Sequence, residues 1–330
     1  MTWRFYPRIL ASLAMLLATA WGAMALWYQL PMTAAGKSAS IALWCLLAST
    51  LLIALWRLRP WIAICGYLSL FALLQVWWSS LEPSNHRVWT DDLIKMTYGR
   101  ADGSQVTLHN VRNFDWRSDE DYDARWETRR YDLDRLASID LATSYWGMPA
   151  IAHVLVSFGF DDGRFLVFTV EIRKERGERY SEIGGFFKQF ELSIVATDER
   201  DALRVRTNVR GEDVYLYRVN MPPDAMRELF LSYLEQANQL NKTARFYNTV
   251  TANCTTIVFD MMRQIVSGLP FDYRLLLTGY LPGYLQDVGG LEQSFSLQEL
   301  RQRGRITERA RRAGDDTDFS RLIREGVPGW

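Results

Sequence analysis

An α+β domain with an antiparallel sheet, held behind three membrane-spanning helices, is the architecture this 330-residue sequence predicts. Three observations carry it. The amino-terminal region lacks acidic residues, short β-branched and aromatic runs separated by polar turns follow it, and two amphipathic helical patterns come after those. The totals hide this division: 38 basic and 38 acidic side chains give a formal net charge of zero. Residues 1–80 contain five basic residues (Arg4, Arg8, Lys37, Arg57, Arg59), no Asp or Glu, and eight of the thirteen tryptophans. Residues 81–330 hold the other 33 basic and all 38 acidic side chains, a net of −5, which argues against a nucleic-acid partner bound through its phosphates.

Three charge-free apolar stretches, 9–30, 38–56 and 60–81, fill the first region. Each is about 20 residues, enough for a helix to cross a hydrocarbon core roughly 30 Å thick. A cleaved signal peptide explains the first stretch alone. A soluble three-helix bundle requires polar faces, and these stretches have none. Arg4 and Arg8 precede the first span and Arg57 and Arg59 lie between the second and third, so the basic-residue rule puts the amino terminus in the cytoplasm. The third crossing then delivers the remainder to the periplasm or exterior of a bacterial cytoplasmic membrane. Trp27, Tyr28, Trp56, Trp61, Trp77 and Trp78 sit at span ends, where amphipathic rings favour the headgroup layer. The expected divisions are an anchor (1–81), an exported domain (82–296) and a charged helical tail (297–330).

Cys45 and Cys65 fall inside spans, which leaves Cys254 as the single thiol of the exported portion and rules out a structural disulfide within it. A lone thiol in an oxidising compartment calls for a reason, and burial as an inert apolar residue is the plain one.

Strands are expected at 106–116, 125–133 and 138–145. Runs 151–160 and 164–172 form a hairpin around Asp161-Asp162-Gly163, with glycine where a left-handed conformation is required. If Phe160 pairs with Arg164, paired positions sum to 324 and His153 lies across from Glu171 on one face; a register slip or bulge would separate them. Further strands are expected at 187–196 and 214–219. Residues 224–240 read as an amphipathic helix with Met226, Leu229, Phe230, Tyr233, Leu234, Ala237 and Leu240 on one stripe, behind Pro222 and Pro223. A second helix opens at Asn253 as N-cap and runs to about Val266, with Ile257, Val258, Met261, Met262 and Ile265 buried. That places Cys254 in the first turn, where free N–H groups and the helix dipole favour a thiolate. Six arginines between Arg301 and Arg312 could touch anionic headgroups, although a solvated helix face is the simpler expectation.

The sequence lacks H-E-x-x-H, G-x-S-x-G, a glycine-rich phosphate loop and paired-cysteine metal spacing, so no metal or organic cofactor is expected. Asp119, Glu120, Asp121 and Asp123 resemble a cation loop only loosely and read better as a solvated turn. What remains is Cys254, His153 and Glu171: a thiol nucleophile, an imidazole to take and return its proton, and a carboxylate to orient the imidazole. Each has an alternative. Cys254 shares the stripe of Val258, Met261 and Ile265, His153 could be a satisfied core histidine, and Glu171 could pair with Arg173 or Lys174. His86 sits just beyond the third span, and His109 falls in an early strand without an evident partner.

Four ordered blocks carry a family resemblance: Tyr145-Trp146-Gly147-Met148-Pro149-Ala150-Ile151-Ala152-His153, Glu171-Ile172-Arg173-Lys174-Glu175, Gly185-Phe186-Phe187-Lys188-Gln189, and Tyr247-Asn248 through Asn253-Cys254-Thr255-Thr256. Together, over roughly residues 84–270, they resemble the Lnb-type periplasmic domain family, whose Lnb proteins move an acyl chain from a lipoprotein's lipid anchor onto its terminal amine. The resemblance implies that His153 and Cys254 are the family's proposed catalytic pair. The order of histidine strand, polar residue on the next strand, then Asn-Cys opening a helix is also similar to the circularly permuted papain-like fold of the NlpC-like and lecithin:retinol acyltransferase group. There Glu171 takes the place of a third residue that is typically histidine in the retinol enzymes.

Three readings follow. The first is a thioester-forming acyltransferase or acyl hydrolase at the outer membrane face, acting on a membrane lipid or lipoprotein, with helix-start N–H groups near Cys254 each contributing on the order of 3 kcal/mol to oxyanion stabilisation. The second is a cell-wall peptidase or amidase on the same fold. The third is a non-enzymatic, bilayer-anchored binding module, which predicts that Cys254→Ala and His153→Ala are silent.

Overall fold

The computed structural model describes residues 5–330; Arg4, which entered the orientation argument, lies outside the described residues. The chain divides into two compact units, one comprising residues up to Ser84 together with Tyr180–Gln189, the other Asn85–Arg179 and Phe190–Trp330.

The first unit contains helices α1 (Phe5–Gln29), α2 (Ala34–Arg57) and α3 (Pro60–Ser79), each long and apolar enough to cross a membrane. Polar groups point inward: the Tyr67 hydroxyl donates to Met15 O (2.8 Å) and lies 2.9 Å from Thr19 Oγ1, and Trp44 Nε1 donates to Thr19 O (2.9 Å). Leu10, Leu17 and Leu73 point outward and are about 70% exposed. Apolar exteriors with internally satisfied polar groups suit a lipid solvent and oppose the soluble-bundle alternative. Tyr180–Gln189 joins this unit through Phe187, which stacks on Tyr28 (5.6 Å between ring centroids) and has its carbonyl bound by Gln29 Nε2 (2.8 Å). Phe187 therefore ends a 3-10 turn, Gly184–Phe187, and does not begin the strand expected at 187–196.

The second unit begins with β1 (Tyr98–Asp102), β2 (Gln105–Arg112), β3 (Asp115–Trp116), β4 (Tyr122–Asp123), β5 (Trp126–Asp132) and β6 (Leu136–Tyr145). It continues with β7 (His153–Phe160), β8 (Phe165–Arg173), β9 (Glu191–Asp198), α4 (Glu199–Arg204), a π-helical turn (Val205–Val209) and β10 (Asp213–Arg218). Then come α5 (Pro223–Lys242), α6 (Thr256–Ile265), α7 (Leu281–Asp287), α8 (Leu297–Gly304), α9 (Thr307–Ala313) and α10 (Phe319–Leu322). Eight strands form one sheet in the order β1-β2-β9-β8-β7-β6-β10, with β5 also on β2. The architecture is mixed α and β, and the sheet departs from the antiparallel expectation at one contact: Arg112 of β2 meets Thr197 of β9 in parallel. The strand expected at 106–116 is broken. Asn110 adopts a φ of +59°, the β2–β5 register shifts between Leu108 and Val111, and β3 pairs with β4 instead.

The β7–β8 register keeps the sum of 324 from Gly159↔Phe165 to Leu155↔Thr169. Its turn closes through Phe160 N–H to Arg164 O (2.9 Å), with Gly163 at φ +82°. One face of the sheet buries Val154, Val156, Phe158, Leu166, Phe168 and Val170 beneath α5, whose whole predicted stripe is buried. Residues of opposite parity face α4 and the carboxy-terminal helices. The tail is accordingly no appendage: Ile306, Ala310, Phe319, Ile323 and Val327 are buried with Leu155 and Val167, because the apolar residues interrupting the arginines fall on one side. Arg301, Arg303, Arg305, Arg311 and Arg312 remain exposed.

Candidate active site

The three side chains singled out from the sequence come together at one end of the sheet. Thr169 and Glu171 alternate along β8 on the face that also carries His153. His153 Nε2 lies 2.7 Å from Thr169 Oγ1 and 3.1 Å from Glu171 Oε1, and the Thr169 hydroxyl donates to that same Oε1 at 3.0 Å. With the Thr169 proton committed to Glu171, its oxygen accepts from the ring, so Nε2 carries a hydrogen and Nδ1 is left for the thiol. This is the orientation a general base requires.

Beyond Leu155↔Thr169 the β7–β8 pairing stops, although both strands continue. Cys254 occupies this opening. The His153 imidazole and the Val154 N–H lie close enough to its sulfur to lower the thiol pKa, and the Thr255 hydroxyl is 3.9 Å from it. Helix α6 starts later than the sequence implied, at Thr256, with Thr255 at the cap position, so Cys254 sits in the turn before the helix and not in its first turn. Asn253 still performs the capping chemistry: its Oδ1 accepts from the Thr255 and Thr256 N–H groups, both at 2.8 Å. Those two amides are thereby unavailable to an oxyanion, which narrows the expected helix-start donors to the Cys254 N–H.

Electrostatics couple the group. Burial is the largest influence on the imidazole and opposes its charge, as does repulsion from Arg206, but the charge and hydrogen bond of Glu171 together with the Cys254 thiol outweigh them, and the His153 pKa is pushed up to about 9. Burial would likewise raise Glu171, yet the imidazolium, its hydrogen bond, and the charges of Arg206 and Arg112 hold it well below the usual carboxylate range. Burial works against a thiolate at Cys254; the His153 hydrogen bond and charge, with smaller help from Val154 N–H and Thr255, bring its pKa below that of an ordinary thiol. Thiolate and imidazolium therefore favour each other.

Sequence reasoning missed Arg206, Thr169 and the Val154 N–H. Arg206 projects from the π-helical turn to within 3.4 Å of Glu171 and 3.9 Å of Glu212, and Glu212 accepts a short hydrogen bond from Ser144, the cross-strand neighbour of His153. A ring of His153, Glu171, Arg206, Glu212 and Ser144 results. Thr169 was legible at two residues from Glu171; Arg206 was not, since only the π turn brings it there. Glu171 pairs with neither Arg173 nor Lys174: the Arg173 guanidinium lies over Trp89 and donates to Leu93 O and Ile94 O. His109 stacks on Tyr98 and meets Thr128 (3.1 Å), away from the thiol. In the acidic cluster, Asp121 and Asp123 pair with Arg117 and Asp119 with Arg210. Among the described residues no group of three acidic, His or Cys side chains could hold a metal ion.

No curated protein and no solved structure matches the chain. Residues 122–279, the stretch that carries His153, Glu171 and Cys254, match the family model of the Lnb N-terminal periplasmic domain, the family that the motifs around those residues resemble.

Proposed function

We propose that this membrane-anchored periplasmic domain is a thiol acyltransferase or acyl hydrolase acting on an ester-linked chain of a membrane lipid or lipoprotein. The observation that carries the reading is the grouping of Cys254, His153 and Glu171, in which a buried thiol has its pKa lowered by a neighbouring imidazole whose Nε2 is held by Glu171 and Thr169. Cys254 Sγ attacks the ester carbonyl, its proton passing to His153 Nδ1; the carbonyl becomes an oxyanion beside the Cys254 N–H. Collapse forms the thioester, and His153 returns the proton to the departing alkoxide. An amine or water, deprotonated by His153, then attacks the thioester, and Cys254 leaves as thiolate. The chain order, with a histidine strand, an acidic residue on the next strand and a cysteine before a helix, supports a circularly permuted papain-like domain. Arg8, Arg57 and Arg59 support a cytoplasmic amino terminus in a bacterial inner membrane. Anchoring supports a lipid-borne substrate, because enzyme and substrate share one surface and gain effective concentration.

The test is full-length protein in vesicles containing radiolabelled phospholipid or diacylated lipopeptide. Iodoacetamide-sensitive release or transfer of the acyl chain, absent in Cys254→Ala and His153→Ala, supports the reading. Release of stem peptides from cell wall without acyl release replaces it with an amidase, and a cellular phenotype retained by both variants replaces it with a binding module.

A further inference from the structure

Two segments beside the site carry no charge: Tyr145–Ala152, which leads into His153, and Leu275–Tyr284, which follows α6. They are fastened to each other. Ala152 N–H donates to Thr278 Oγ1 (2.9 Å), the Thr278 hydroxyl donates to Ala152 O (2.6 Å), Gly279 N–H donates to Ala150 O (2.9 Å), and the Tyr145 hydroxyl donates to Gly279 O (2.7 Å). A Cβ at Gly279 would lie 2.1 Å from Pro149 O, so this approach requires glycine. The chain just before the second segment carries two charges of opposite sign, Asp272 and Arg274, which pair at 2.9 Å, and Arg274 also reaches Asp287 at 2.6 Å. From this braced edge Met148 (58%) and Tyr280 (41%) stand exposed, and from the chain just before its second segment Phe271 (68%) and Tyr273 (63%). Exposed apolar side chains held on fixed backbone, in a unit whose surface is otherwise dense in arginine–carboxylate pairs, mark an interaction surface.

We propose that this rim is a lipid-binding surface: Met148, Phe271, Tyr273 and Tyr280 enter the headgroup layer of the bilayer and hold the Cys254 opening against it. Lipid is favoured over a protein partner on two grounds. Tyr and Phe with Met and no net charge suit the boundary between headgroups and acyl chains. Only residues 80–84 separate the end of α3 from the first residue of the second unit, a reach of at most ~18 Å, so this unit is tethered beside whatever bilayer holds the helices. The proposal depends on the membrane anchor and not on Cys254 being a nucleophile.

The test uses the full chain with Cys45→Ala, Cys65→Ala and Cys254→Ala, carrying an environment-sensitive fluorophore at Met148→Cys, Phe271→Cys or, as control, Asp161→Cys. Asp161 lies just past the far end of β7, whose length places it roughly 23 Å from His153. In phosphatidylethanolamine–phosphatidylglycerol vesicles, nitroxide-labelled lipid should quench the Met148 and Phe271 probes several-fold more than the Asp161 probe, and iodide should quench them less. Either of the two rim probes suffices where the other variant does not fold. Equal lipid quenching at all three positions overturns the proposal. Shielding from iodide without lipid quenching also overturns it and assigns the rim to a second copy of the chain. Acyl release in wild type that Cys254→Ala abolishes is read separately, so loss of one proposal leaves the other standing.

Discussion

The two faces of the central sheet are built on opposite principles. Under α5 the face is wholly apolar, with Phe158, Phe168 and Phe230 fully buried and packed edge-to-face at 5.1–5.8 Å. The other face mixes Leu155, Val167 and Leu216 with charge. Arg324, 2% exposed, donates to Asp140 (2.9 Å) and to Glu199 (2.6 Å), and Arg112 donates to Asp201 (2.9 Å). The first face contributes stability through area and contact. The second holds ions whose desolvation is offset only while every partner is present. Glu171 and His153 stand at the edge of this charged face, Cys254 belongs to the apolar one, and they meet where β7 and β8 part.

The largest effect expected is at the seam itself. Cys254→Ala should lower acyl transfer by ~10⁴-fold or more while leaving the unfolding midpoint little changed, because a small side chain is replaced by a small one. Next come the two faces. Phe230→Ala should cost ~3–5 kcal/mol by opening a cavity, and Arg324→Ala ~3–5 kcal/mol by leaving Glu199 without its cation and Asp140 with Arg218 alone, both read by pulse proteolysis. The comparison is sharpened by compensation: Asp140→Asn with Glu199→Gln should restore much of the loss in Arg324→Ala, and no pair of substitutions on the α5 face should do the same for Phe230→Ala.

Smaller effects are expected from the ring around His153. Glu171→Gln should lower the His153 pKa from about 9 and slow iodoacetamide alkylation of Cys254 at pH 7 by ~10-fold or more. The sign for stability follows from linkage. His153 is raised by folding, so its contribution is complete below the ordinary imidazole value of ~6.5 and disappears as pH rises through about 9. Glu171 is lowered, so its contribution is present above the ordinary carboxylate value and is lost on acidification. The stability gap between wild type and Glu171→Gln should therefore be widest near pH 5–6.5 and shrink toward pH 9. The smallest change is expected from Arg206→Met. Because Arg206 repels the imidazolium, its removal should move the alkaline limb of Cys254 alkylation upward, with little change in rate at pH 7.

Local pattern and chain arithmetic determined much of this protein. Apolar length without charge specified the three anchor helices, the 3.6-residue period specified the α5 stripe, and a two-residue period with one glycine turn set the register that, although pairing stops at Leu155↔Thr169, leaves His153 within 3.1 Å of Glu171. These signals are legible because each depends on residues near one another in sequence. What only the tertiary structure decided depends on distant partners. Arg324 meets Asp140 across 184 positions, Arg206 reaches Glu171 through a π turn, and Phe187 is drawn out of an expected strand by aromatic rings of the anchor. Cys254 shows the boundary most clearly. The sequence placed it at a helix start, but the neighbour that sets its chemistry is the Val154–His153 backbone and ring in a gap between strands, and such a gap has no periodicity to announce it.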